Sequence, residues 1–320
     1  MKRRYFLGAV LAVPAATRAQ GRSGGKIGYV YVGPNELIPA RLQLIAAGVR
    51  STGYVLAPGD IILRSTEGVA DRLAPAIAEV LAQKVSVFIA AGPAALRISQ
   101  QATHTVPIVA YDFETDPIAG KFAQSIARPG GNVTGVFLDL PAFAGKWLEL
   151  LHECMPQLAR VALIWDPDTG RLQADAVVKA SAGLGIKTDL LEVHASAEYP
   201  ATFAAARDRG AQAVILLSSP LVFTHVKEIG EMSARQRMPT ITMFGEFAKA
   251  GGMLAYGPSL LGAFKQASFM AGKILAGASV ATLPIERPST YELVVNQRSG
   301  EMMGVKIPPS IQARADEVIE

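Results

Sequence analysis

The strongest constraint on this chain is a repeated alternation. Short runs of β-branched and apolar residues are each followed by a longer amphipathic stretch, and the series occurs twice. Lys26–Val32, Asp60–Arg64, Val85–Ala90, Pro107–Tyr111 and Val133–Leu138 read as strands. Glu36–Thr52, Val69–Gln83, Pro93–Gln101 and Ile118–Ala127 read as helices between them, and Leu73, Ile77, Val80 and Leu81 mark one apolar helix face. The pattern restarts after Pro141. Helices at Phe143–Cys154, Leu172–Leu184, Tyr199–Asp208 and Val222–Arg235 alternate with strands at Val161–Trp165, Asp189–Val193, Ala213–Leu217 and Pro239–Met243. Strands that are apolar along their whole length belong in parallel sheets, because crossover helices cover both faces of such sheets. The expected class is therefore α/β, with two doubly wound parallel-sheet lobes.

The tail adds topology. Gly252–Tyr256 reads as a strand, Leu260–Ala276 as a helix, and Thr282–Asn296 as an extended, proline-punctuated segment. A chain that completes its second set and then adds elements crosses between lobes again, and a multi-crossing hinge suits a clamp that closes on a ligand. On this reading residues 26–138 and 252–281 form the N-terminal lobe, and residues 139–251 and 282–320 form the C-terminal lobe. The 320 residues suffice for two ordinary domain cores.

The first nineteen residues read as an export signal. Lys2-Arg3-Arg4 is a charged start, Leu7–Ala16 a short apolar run, and Thr17-Arg18-Ala19 places small residues for cleavage before Gln20. The apolar run is about half the ~20 residues of a membrane span. Arg3-Arg4-Tyr5-Phe6-Leu7 fits the twin-arginine route as well as the general one. The expected location is the periplasm. This segment also holds all of the excess charge: the whole chain is +4, and residues beyond Ala19 carry equal numbers of basic and acidic side chains. A neutral mature chain lacks the basic patch that phosphate binding requires, which argues against nucleic acid as a partner. Cys154 is the single cysteine, so no intramolecular disulfide staples the fold.

Catalytic signatures are missing. No strand is followed by a G-x-S-x-G elbow, there is no Walker A loop, and no G-x-G-x-x-G follows the first strand. His104, His152, His194 and His225 lack metal-ligand spacing, so neither a metal nor a cofactor is expected. What the sequence does offer lies beyond the strand ends, where open α/β sheets bind ligands. Tyr31 and Gly33 follow the first strand, and Gly92, Pro93 and Ala94 open a helix after the third. Tyr111, Phe113 and Asp116 follow the fourth strand. Asp139, Trp165, Asp166, Ser219, Phe244 and Tyr256 hold the corresponding places in the second half. Their aromatics could sandwich a flat or apolar molecule while acids and a helix N-terminus hold its polar ends. Each also has an ordinary structural role: Gly-Pro makes turns, and Asp116 and Asp166 suit helix or turn caps.

Several longer segments carry a resemblance. AAGPAALRISQQATHTVPIVAYDFETDPIAGKFAQSIARPGGNVTGVFLD, VALIWDP, PLVFTHVKEIGEMSARQRMPTIT, FAKAGGMLAYGP and IPPSIQARADEVIE together resemble a bacterial family of ABC-transporter substrate-binding proteins that includes tryptophan and phenylalanine receptors. The resemblance implies a type I periplasmic-binding fold with three inter-lobe crossings, no enzyme activity, a monomer, a small-molecule ligand and an ABC permease in the inner membrane as partner. It places Gly92–Ala95 and Asp116 in one half of the cleft, and Asp139, Asp166 and Ser219 in the other. An amino acid, or another aromatic or carboxylate compound, is the expected cargo. The segment Tyr31–Gly53 departs from the family's F-R-x-G-L-x-E-L-G-Y pattern, and its V-x-D-P strand-end loop is here Tyr111–Pro117. A receptor of the same fold that signals to a membrane partner, and an exported α/β enzyme, are the alternatives.

Overall fold

The computed structural model describes residues 24–320; the export-signal reading lies outside them. In chain order the first lobe comprises β1 (Ile27–Tyr31), α1 (Ile38–Arg50), β2 (Ile61–Ser65), α2 (Leu73–Ala82), β3 (Val87–Ala91), α3 (Gly92–Ala102), β4 (Ile108–Asp112) and β5 (Val133–Phe137). The second lobe follows with α4 (Leu140–Cys154), β6 (Arg160–Trp165), α5 (Leu172–Gly183), β7 (Lys187–Glu192), α6 (Tyr199–Asp208) and β8 (Ala213–Leu216). It continues through α7 (Pro220–Arg235), β9 (Thr240–Thr242), α8 (Gly245–Lys249) and β10 (Leu254–Pro258). Then come α9 (Leu260–Leu275), β11 (Tyr291–Asn296) and β12 (Glu317–Ile319).

The two sheets repeat one topology. The first runs β2-β1-β3-β4-β5 and is wholly parallel; the second contains β7-β6-β8-β9-β10 in the same order and parallel sense. β11 then pairs antiparallel to β10, and β12 parallel to β11, on the far edge. Strand interiors such as Ile27, Val87, Ile89, Val161 and Ile215 are wholly buried, as helix-covered parallel strands must be. α1 and α9 cover one face of the first sheet, and α2 and α3 the other. The α1–α9 contact is close enough to require small residues. A Cβ on Gly48 would stand 2.5 Å from the Ser268 Cβ and 3.1 Å from the Lys265 carbonyl oxygen.

Three expectations are corrected. Leu254–Pro258, assigned on sequence to the first lobe, is a strand of the second sheet, because its apolar run completes the β9 edge and accepts β11. Thr282–Glu286, assigned to the second lobe, stays with the first: Glu286 bridges Val136, and the Ile285 amide donates to the Ile126 carbonyl. Ile118–Ala127 is a chain of turns rather than a helix. The Asp116 carboxylate accepts both the Ile118 and Ala119 amides, Lys121 sits at φ 60°, and the Phe122 amide folds back to the Pro117 carbonyl. Asp116 caps a single turn, which the left-handed Lys121 and the Phe122–Pro117 bond then close before a helix can extend, and Phe122 and Ile126 pack on the lobe core without helical backbone.

The chain passes between the lobes three times: after β5, after β10, and before β11. The crossings are tied together. Arg287 donates to the Phe137 and Leu138 carbonyls and pairs with Asp139 at 3.7 Å. Tyr256 stacks between Phe143 and Tyr291, with centroids 5.6 and 5.7 Å away, and its carbonyl accepts from the Trp147 indole at 2.8 Å. The ARPGGNVTG segment fastens the first lobe from within. Asn132 binds the Thr103 and Val106 carbonyls, the Gly130 amide donates to Ala281, and the Thr134 hydroxyl donates to Leu283.

Candidate functional site

In a sheet of order 2-1-3-4-5 the crevice opens where the strand order reverses, between β1 and β3 in the first lobe and between β6 and β8 in the second. A cavity of about 570 Å³ lies beyond these strand ends, between the lobes. That volume suits a small organic molecule. Tyr31, Ala91–Ala94, Tyr111, Phe113 and Glu114 line it from the first sheet; Ser219, Pro220, Phe223, Phe244 and Glu246 face them from the second lobe. Arg41 and Leu44 of α1 and Phe264 of α9 form the side wall. A second concavity lies between α4 and α5, around Glu149 and His152. Helix residues and Leu184 line it, and no loop after the carboxyl end of a strand reaches it, so the inter-lobe cavity is the candidate site.

Two long helices begin at this cavity, and they differ. Gly92 takes φ 75°, a left-handed conformation that only glycine adopts freely, and Pro93 then starts α3. No side chain caps α3, so its first-turn amides remain available to a ligand. At α7 the Ser219 hydroxyl oxygen already accepts from the Val222 amide at 3.1 Å. That N-terminus is partly satisfied from within.

The side wall holds an unusual cation. The Arg41 guanidinium carbon lies 4.1 Å from the Tyr31 ring centroid, and within 6 Å of the Tyr29 and Phe264 rings. Nη1 donates to the Tyr29 hydroxyl at 2.7 Å, and the Tyr29 and Tyr111 hydroxyls lie 2.9 Å apart. Phe264 packs against both tyrosines, at 5.1 and 5.5 Å between centroids. Burial, and then the neighbouring Tyr111, hold the Tyr29 phenol well above its ordinary pKa, so it remains protonated.

The lobes meet at a second polar cluster. Asp112 ends β4 with Oδ1 accepting the Glu114 and Thr115 amides, which turns the chain and aims Glu114 across the cleft. There the Ser218 hydroxyl donates to the Glu114 carboxyl. Gln173 fixes Ser218 by bonding both its carbonyl, at 2.8 Å, and its amide, at 3.1 Å. Burial and then the adjacent Asp112 push the Glu114 carboxyl up to about 8, so it carries a proton at neutral pH in this arrangement.

Of the sequence candidates, the cavity gathers Tyr31, Gly92, Pro93, Ala94, Tyr111, Phe113, Ser219 and Phe244. Six lie elsewhere. Gly33 is in the β1–α1 turn, its carbonyl accepting from the Ser65 hydroxyl, and Asp116 caps the turns after β4. Asp139 caps α4 and Tyr256 belongs to the hinge stack. Asp166 caps its own turn, accepting the Asp168 amide at 3.0 Å. Trp165 is buried in the core with Arg171 over its ring. Arg41, Glu114, Phe223 and Phe264 were missed. Helical spacing showed that α1 and α9 exist, but not that their ends would meet at one cleft. Among the described residues no three side chains are grouped as metal ligands.

Comparison with known proteins agrees with this geometry. The chain overlays a conserved domain protein of Vibrio cholerae O1 biovar El Tor at TM-score 0.79, with 20% identity, covering 92% of this chain and 99% of that one. It overlays an ABC domain in complex with L-Trp from Streptococcus pneumonia at TM-score 0.78, with 20% identity and the same coverage. A ligand-free, open substrate-binding protein with adhesive properties from Clostridium difficile gives TM-score 0.70 at 18% identity, again covering 92% and 99%. These likenesses establish a periplasmic-binding-protein fold. No curated protein matches the chain by sequence. The family model for ABC transporter substrate binding protein matches residues 44–319, and the chain belongs to that family.

Proposed function

We propose that this protein is a periplasmic solute receptor that captures a small molecule with an aromatic or branched apolar body and delivers it, chemically unchanged, to an ABC permease in the inner membrane. The observation that carries the reading is the inter-lobe cavity, walled by Tyr31, Tyr111 and Phe113 on one side and Phe223 and Phe244 on the other. Aromatic walls on two lobes bury a flat ligand only when the lobes are together, so ligand binding favours closure and closure becomes the signal to the permease. The L-Trp held by the Streptococcus protein supports an aromatic body. The family's association with ABC transport supports the permease as partner.

A thermal-shift screen of the purified protein tests this, with amino acids, aromatic acids, purines, sugars and short aliphatic carboxylates. A ligand that binds only the folded state at a hundredfold over its Kd adds about 2.7 kcal/mol. Hits concentrated among aromatic or branched apolar bodies are expected. Hits confined to sugars or short polar acids would overturn the assignment.

A further inference from the structure

We infer that Arg41 is the specificity-determining residue of this cleft, and that the molecule it selects bears a carboxylate on its apolar body. The inference rests on the solute-receptor reading and deepens it by naming the ligand's charge.

Arg41 is a half-buried cation in the wall of the cavity. No carboxylate lies within 4 Å of its guanidinium among the described residues; every ion pair there involves other side chains. Its Nε is buried without any acceptor, and the bond from Nη1 to the Tyr29 hydroxyl leaves the five-donor fork unfilled by the protein. Aromatic faces offset part of the cost of removing a cation from water, and they leave its hydrogen-bonding capacity unused. A receptor surface that keeps such a group at its binding cavity is complementary to an anion. A planar carboxylate is the anion that a guanidinium fork binds most specifically among small organic acids.

Proton counting adds a second donor. Tyr29 is wholly buried and accepts from Arg41, so its own hydroxyl proton has one neighbouring oxygen to reach, that of Tyr111. Tyr111 then accepts, and its proton is free to point into the cavity that Tyr111 lines. The chain Arg41→Tyr29→Tyr111 therefore presents a cation and a phenolic donor to the same space. The cavity's own carboxyls do not fill that role: Glu114 is bonded to Ser218 and Glu246 is exposed on the second lobe. A site with unpaired donors rejects a ligand lacking the matching acceptor far more strongly than an apolar wall rejects a missing methylene.

Isothermal calorimetry on the purified protein separates the possibilities. The probes are phenylacetate, phenylpyruvate, indole-3-acetate and L-phenylalanine, set against phenylacetamide, 2-phenylethanol and phenylethylamine. Carboxylates should bind about thirtyfold or more tighter than the matched amide and alcohol, the scale of a charge-assisted hydrogen-bonded pair. Arg41→Gln should erase that preference with an unchanged melting temperature, Arg41→Lys should retain part of it, and Tyr111→Phe should reduce it several-fold. Within the carboxylates, L-phenylalanine against phenylpyruvate shows whether the natural ligand carries an amino group. Equal affinity for acid, amide and alcohol on the wild-type protein would overturn the role of Arg41 while leaving the aromatic-solute reading intact, as would preference for phenylethylamine. Absence of binding by every aromatic probe would sink both. The wild-type ligand series decides the matter even if Arg41→Gln does not fold.

Discussion

On the first-lobe wall of the cleft, Arg41, Tyr29 and Tyr111 form one hydrogen-bonded chain, and the amides of α3 stand uncapped. On the second-lobe wall, Ser219 commits its hydroxyl to the α7 cap, and Phe223 meets Phe244 edge to face at 5.3 Å. The sheets behind the two walls share a strand order, so topology is not the source of the difference. It comes from what packs beside the strand ends. α1 and α9 line the first lobe's side of the cavity with a cation embedded in aromatic rings, whereas among the described residues the packed pair of the second lobe, α4 and α5, contributes no side chain to the cavity lining. In the proposed receptor the first lobe supplies the recognition chemistry and the second supplies apolar area that counts only on closure.

The comparison can be broken most forcefully at Phe264, which is buried against both tyrosines and Arg41. Phe264→Ala should cost about 3–5 kcal/mol of stability in denaturant unfolding and also abolish tight binding. Retention of full stability would show that the first wall is not an integral packing unit. The contact between the walls should respond to pH. The Glu114 carboxyl is raised to about 8 in this lobe arrangement, chiefly by burial, against an ordinary value of 4.5. Between these values the folded protein holds a proton that the unfolded chain has released, so stability falls as pH rises through that window and levels off above it. Melting curves from pH about 5 to about 9 should show this decline, and Glu114→Gln should flatten it. An unchanged slope in Glu114→Gln would exclude this carboxyl as its source.

Phe223 sharpens the contrast, because it is 45% exposed on the second wall. Phe223→Ala should leave the melting temperature nearly unchanged and weaken ligand binding about tenfold at most, since the side chain gains its burial only in the closed complex. A large stability loss would mean that this wall too is core. The smallest effect is expected at Asp116, whose carboxylate caps two turn amides away from the cavity. Asp116→Ala should cost about 1 kcal/mol of stability and leave calorimetric affinity unaltered.

The alternation of apolar strands and amphipathic helices made both lobes, and nearly every strand, legible before any coordinates. Parallel strands must be apolar throughout, and that is a local property of the chain. The strand-end rule likewise located Tyr31, Gly92–Ala94, Tyr111, Phe113, Ser219 and Phe244, because the position of a loop after a strand is also local. Asp116 and Asp166 show where the rule runs out: a carboxylate after a strand can as readily cap its own turn, and the sequence does not separate the two uses. Two decisions belonged to the tertiary structure. One is which lobe receives the tail, where β10 joins the second sheet and α9 returns to the first across the same hinge. The other is the meeting of Arg41 with Tyr29, Tyr111 and Phe264, four residues from four elements separated by up to 235 positions in sequence. Periodicity records which face of a helix is buried. What that face is buried against depends on contacts distant in the chain, and here those contacts set a helix cation, Arg41, among the aromatic rings of the cavity wall.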